Sequence, residues 1–122
     1  MPHRRKRHLE VVLKKLLGLN PLVGILGHRQ VGKTTLLELL AHTYHTLDES
    51  SERLLAQRLP KQYLQERAGT WVAIDECQLA LELFPALKEW VRLHPKPGQF
   101  VLSGSVRFTF GIHSYLRARR HL

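Results

Sequence analysis

Cysteine occurs once in this 122-residue chain, at Cys77, so no intrachain disulfide framework can form. A reducing, intracellular setting is the simplest reading, and the expected location is cytoplasmic. No apolar run approaches the ~20 residues needed to span a bilayer, which argues against a membrane partner. The basic N-terminus lacks the apolar segment and small-residue cleavage site of a secretory signal. Aromatic residues make up 7% of the chain, which gives single-strand base stacking little support. The length leaves no room for two hydrophobic cores. Apolar residues at 43% are nevertheless enough to build one.

Acidic residues are scarce only at the ends. The formal net charge is +9. Residues 1–20 carry six Lys/Arg against Glu10, and residues 105–122 carry four Arg and no acid. The nine Lys/Arg between them are matched by nine Asp/Glu. The basic character therefore belongs to two termini around a neutral middle. Phosphate-gripping ends would suit a nucleic-acid-binding module. For the run at residues 3–8, a solvated basic tail is the competing reading.

Leu9, Val12, Leu13, Leu16 and Leu17 recur at helical spacing, and Gly18 is a plausible stop. The expected organisation is a basic N-terminal helix over 1–20 and one domain over 21–122. Leu22–Leu26 is a short apolar run between Pro21 and Gly27, which favours a buried strand. Trp71–Ile74 and Phe100–Leu102 read the same way, and Tyr44–Leu47 is a weaker strand. Leu36, Leu37, Leu39 and Leu40 mark a helix over 34–42. A second helix starts at Ser50/Ser51 and reaches Pro60, which ends it or opens the next segment. A third carries Leu79, Leu83, Leu87 and Trp90-Val91, with Pro85 at its start or a kink. Apolar strands alternating with helices imply an α/β fold, with a mainly parallel sheet covered on both faces. In such sheets ligands bind beyond the carboxyl ends of the strands.

Gly27-His28-Arg29-Gln30-Val31-Gly32-Lys33-Thr34 fits G-x-x-x-x-G-K-[ST] at every fixed position. Gly27 and Gly32 permit backbone conformations that other residues resist. The loop then wraps a phosphate with its N–H groups, and the following helix offers its positive end. Lys33 supplies charge to the β- and γ-phosphates, and the Thr34 hydroxyl is a hard ligand for Mg²⁺. Gln30, Val31 and Thr35 complete the candidate ATP contacts, although Thr35 also reads as an ordinary helix-start residue. A glycine turn before a basic helix start is the bland alternative. Average composition produces the full pattern by chance in roughly 0.5% of chains this long.

Asp75 and Glu76 follow the apolar run at Trp71–Ile74. At the carboxyl end of a buried strand, Asp75 is placed to hold Mg²⁺, and Glu76 to polarise the water attacking the γ-phosphate. Ser103 ends the Phe100–Leu102 strand, where it either contacts that phosphate or water, or forms a turn with Gly104. The eight His residues show no metal spacing. His42 and His45, three apart on a helix or its end, lack an evident third ligand. Cys77 has no obvious His partner and reads as a small, partly buried residue. Trp71 and Trp90 read as core.

The segment Gly27–Leu37 resembles the G-x-R-Q-V-G-K-T-T-L-L phosphate loop of the prokaryotic "archaeal-type" AAA-like ATPases. Ile74-Asp75-Glu76-Cys77-Gln78 is similar to their I-D-E-x-Q acidic motif, and Leu102-Ser103-Gly104-Ser105 to their L-[ST]-G-S sensor strand. Thr46-Leu47-Asp48 and Arg53–Ala56 are similar to their second strand and the helix after it. The resemblance implies an additional-strand P-loop domain that binds Mg-ATP and hydrolyses it to ADP and phosphate. Arg119 stands at the place of a family Arg, but Tyr115 and Ala118 replace the Ser and Gly that usually precede it. Members usually continue into a further strand and a second domain, so the resemblance implies a chain that stops after the sensor strand. Residues 22–26 would then form an exposed apolar edge that favours a homo-oligomer or a strand-donating partner. A remnant that has lost activity through truncation is the other expectation.

Overall fold

The computed structural model describes residues 2–26 and 31–104, and the backbone alone for residues 2–7, 26 and 31–34. Its elements alternate as the apolar runs predict. They are α1 (Pro2–Leu17), β1 (Leu22–Leu26), α2 (Val31–Leu40), β2 (Thr43–Thr46), α3 (Ser50–Arg58), α4 (Pro60–Arg67), β3 (Val72–Asp75), α5 (Leu83–Leu93) and β4 (Phe100–Gly104). A 3₁₀ turn, Cys77–Leu79, links β3 to α5.

The four strands are parallel, in the order β1-β4-β3-β2. Strand β4 lies between the strand entering the phosphate loop and the strand bearing Asp75. This is the additional-strand arrangement that the resemblance implies. Among the described residues β1 is a sheet edge, as expected. Its Val23 and Ile25 are nevertheless buried.

Side chains alternate across the sheet and divide the core in two. Val72, Ile74, Phe100 and Leu102 face Ala56 of α3, Tyr63 and Leu64 of α4, and Leu83, Ala86 and Leu87 of α5. Ala73, Val101, Val23 and Ile25 face Leu36, Leu37 and Leu40 of α2 and Leu13 and Leu17 of α1. Near-continuous apolar strands are what a sheet covered on both faces requires. Leu9 and Leu16 of the expected apolar stripe of α1 remain exposed, because the contact lies at Leu13 and Leu17.

Several local expectations are corrected. Pro60 opens a helix, and its missing N–H costs nothing in the first turn. The third predicted helix starts at Leu83 rather than Leu79, which lies in the 3₁₀ turn. Pro85 sits in the first turn of α5. His42 and His45 do not share a helix. His42 lies between α2 and β2 and stacks on Trp71, with ring centroids 5.8 Å apart, whereas His45 is in β2. Both tryptophans are half-buried. Trp90 donates through Nε1 to Gln99 Oε1 at 2.9 Å, since a half-covered indole needs a partner for its N–H. Cys77 is fully buried, with Sγ 3.2 Å from the Ile74 carbonyl.

One polar cluster ties β2, α3 and α4 together. Arg67 Nε donates to Glu52 Oε2 at 2.8 Å, and His45 Nδ1 lies 3.5 Å from Glu52 Oε1. The Arg67 guanidinium also lies 4.0 Å from the Tyr63 ring centroid. The Tyr63 hydroxyl is sealed from solvent beside the Glu52 carboxylate. Burial, then the Glu52 carboxylate, pushes its ionisation far above the ordinary range. For Glu52 itself, burial favours the neutral acid. The hydrogen bond and charge of Arg67, with His45, outweigh it and hold the carboxyl below its ordinary 4.5. A carboxyl depressed by folding stabilises the protein above its unfolded value and loses that contribution as pH falls through the folded one. Glu52→Gln is therefore expected to cost about 2 kcal/mol at pH 7. The gap between the two proteins should close below pH 4.5 in urea titrations across pH. A gap of constant size would show that the ionised pair contributes nothing.

Candidate functional site

The site is built where β1, β4 and β3 end. β1 finishes at Leu26 and α2 begins at Val31, so the phosphate motif joins a strand to a helix. Gly32, Lys33 and Thr34 fall in the first turn of α2 and Thr35 directly after it. Gly27 and Gln30 lie outside the described residues, as do Ser105 and Arg119, and no side chain is described for Val31, Lys33 or Thr34.

Strand parity carries Asp75 and Ser103 to the face that α2 covers. Both are buried, at 2% and 0% exposure. Ser103 Oγ donates to Asp75 Oδ1, which also accepts the Glu76 backbone N–H at 2.9 Å. Tyr44 reaches the same carboxylate from β2, its hydroxyl donating to Oδ2 at 2.7 Å. Burial, then the Asp75 hydrogen bond and charge, pushes the Tyr44 phenol well above its ordinary value, so it is a neutral donor at physiological pH. β4 continues through Gly104, so Ser103 does not form the expected turn there. Its hydroxyl donates to Asp75 and keeps its acceptor lone pairs.

Glu76 departs from the strand in the left-handed region, at φ 59° and ψ 43°. Such a backbone costs a non-glycine residue roughly 1–2 kcal/mol. It turns the chain sharply into the 3₁₀ turn, where the Glu76 carbonyl accepts the Leu79 N–H at 3.1 Å. Glu76 is 7% exposed, and its Oε2 accepts a hydrogen bond from Gln78 Nε2 at 2.6 Å. Trp71, at the other end of β3, is the second non-glycine residue with positive φ among the described residues.

The sequence motif reaches Asp75, Glu76 and Ser103 and misses Tyr44. The available signal was parity: Tyr44 and Thr46 share a face of β2, and Thr46 pairs in register with Asp75.

The sequence profile of the AAA domain matches residues 19–121 of this chain. The chain belongs to the AAA domain family. No curated protein and no solved structure gives a significant match. The AAA domain assignment agrees with the strand order, with β4 beside β1, and at the level of the family it carries nucleotide binding. Among the described residues no helix is long and apolar enough to cross a membrane.

Proposed function

We propose that this AAA domain binds Mg-ATP beyond the carboxyl ends of β1, β4 and β3 and hydrolyses it to ADP and phosphate. The observation that carries the reading is the strand–phosphate motif–helix unit facing a buried, hydroxyl-held Asp75 two strands away. In this reading the Gly27–Gly32 backbone cradles the phosphates and Lys33 adds positive charge. Glu76 takes the proton of the attacking water, and Ser103 acts by fixing Asp75.

The residues fit a magnesium ion. Among the described residues no three His, Cys, Asp or Glu side chains gather into a metal cluster. Mg²⁺ does not need one, since one or two carboxylates plus substrate phosphates and water commonly suffice. Asp75 and Thr34 offer oxygen donors alone. Mg²⁺, when bound, would neutralise charge on the β- and γ-phosphates.

Thermal melting tests the binding step. At an ATP concentration a hundredfold above Kd, Mg-ATP should stabilise the fold by about 2.7 kcal/mol, raising Tm by roughly 10 °C. Lys33→Ala should weaken binding at least tenfold and lose about half of that shift or more. No shift in the wild type would overturn the proposal, and equal shifts in the two proteins would take the phosphate motif out of it.

A further inference from the structure

We propose that the first two turns of α1 are a docking element for duplex DNA, gripping the phosphates on both walls of a groove. Arg4, Arg5, Lys6 and Arg7 lie inside α1, whose helical backbone begins at Pro2. The basic run is therefore carried by a helix and is not a tail hung from one. Among the described side chains of α1, Leu13 and Leu17 are the buried ones, packed with Val23 and Ile25 of β1 and the leucines of α2. Cover is lost toward the amino end. Leu9, one turn before Leu13 on the same stripe, is already 39% exposed, and His8 is exposed. At about 1.5 Å per residue, Arg4 lies roughly 13 Å beyond Leu13 along the axis.

Charge and helical geometry name the partner. Successive helical positions are about 100° apart, so the four at residues 4–7 encircle the axis and leave no side without a basic residue. The helix holds little to neutralise them. Its first turn carries no acid, and Glu10, the one acid of residues 1–20, pairs with Lys14 at 3.1 Å. Cations at the positive end of a helix oppose its dipole, and an anion relieves both terms. A bilayer surface needs an apolar face beside the basic one, whereas residues 3–8 are all Arg, Lys or His. A single strand is held by stacking its bases on aromatic rings, and residues 1–20 contain no Phe, Tyr or Trp. A duplex meets both conditions. The major groove of B-DNA admits an α-helix and is walled by phosphates on two sides, which suits a helix that is basic all round.

The test titrates the 122-residue chain into a labelled duplex DNA of mixed sequence and follows anisotropy across a range of salt concentrations. A variant carrying Arg4→Gln, Arg5→Gln, Lys6→Gln and Arg7→Gln should flatten the slope of log K against log salt by about 3 to 4, at ~0.9 per phosphate contact. Near ~0.1 M salt its affinity should fall about a hundredfold or more. Its melt should stay within about 2 °C of wild type, because the buried contacts of α1 are made by Leu13 and Leu17. Arg5→Gln with Arg7→Gln should flatten the slope by about half as much, and it carries the test if the fourfold variant lacks a cooperative melt. Single-stranded DNA of the same sequence should bind wild type about fivefold more weakly, since each contact releases fewer counterions there. Phosphatidylserine vesicles should also bind more weakly. Equal slopes in wild type and folded variant, or no binding by wild type, would overturn the proposal. So would equal or tighter binding to the single strand or the vesicles. No nucleotide is present in any arm, so the result stands apart from the Mg-ATP reading.

Discussion

Glu76→Gln is expected to bind Mg-ATP within about threefold of wild type and to lose hydrolysis by 10²–10⁴-fold, the usual contribution of a positioned general base. The substitution keeps the shape of the side chain and removes its capacity to take a proton. Its local setting should survive. The amide oxygen of glutamine still accepts from Gln78 Nε2, the contact that Glu76 Oε2 makes at 2.6 Å. The left-handed backbone at φ 59° is set by the turn from β3 into Cys77–Leu79, so the variant carries the same strain as the wild type. The fold, the nucleotide contacts and the Asp75 carboxylate are thus left alone, and the loss should fall on kcat rather than KM. Phosphate release in single turnover, measured beside equilibrium binding, separates the two. Equal turnover in both proteins would take Glu76 out of the mechanism. A parallel loss of binding would mean that the Glu76–Gln78 contact shapes the pocket instead.

What the sequence made legible follows from how much each element buries. β1, β3 and β4 are apolar almost throughout because both faces are covered, and such runs announce themselves. β2 reads Thr-Tyr-His-Thr and is the opposite edge among the described residues, so its partial burial leaves only a weak pattern. Helix α4 was invisible because only Tyr63 and Leu64 of its eight residues face the core. The proline at its start looked equally like a stop. The phosphate motif and Asp75 were legible because their spacing is fixed by local chemistry. The Tyr44–Asp75 bond was not, because it joins residues 31 apart in the chain and depends on the parallel register of β2 and β3. Nor does anything in Asp75-Glu76-Cys77-Gln78 announce a left-handed residue. The residues that follow it into the turn, Cys77 and Ala80, are both buried.

Phe100→Ala should cost 3–5 kcal/mol and lower Tm by roughly 12–20 °C, the second large effect expected of this fold. Phe100 is fully buried at the start of β4, an inner strand, level with Leu22 of β1 and Val72 of β3. Its ring meets Trp90 edge to face, with centroids 6.4 Å apart. Truncation leaves a cavity between the sheet and α5 that neighbours held on both sides cannot close. A loss of this size is a large share of the 5–15 kcal/mol that stabilises a typical domain. Nucleotide binding by the folded variant should nevertheless stay within about threefold of wild type at 10 °C. Phe100 lies three residues before Ser103, about 10 Å along the strand. Its side chain points to the α3–α5 face, whereas Ser103 and Asp75 point to the α2 face. Denaturation in urea gives the first quantity and calorimetric titration the second. A cost below about 1 kcal/mol would show that this half of the core is not organised around β4. A stable variant that no longer binds would tie the site to the far face of the sheet, against the division of the core described here.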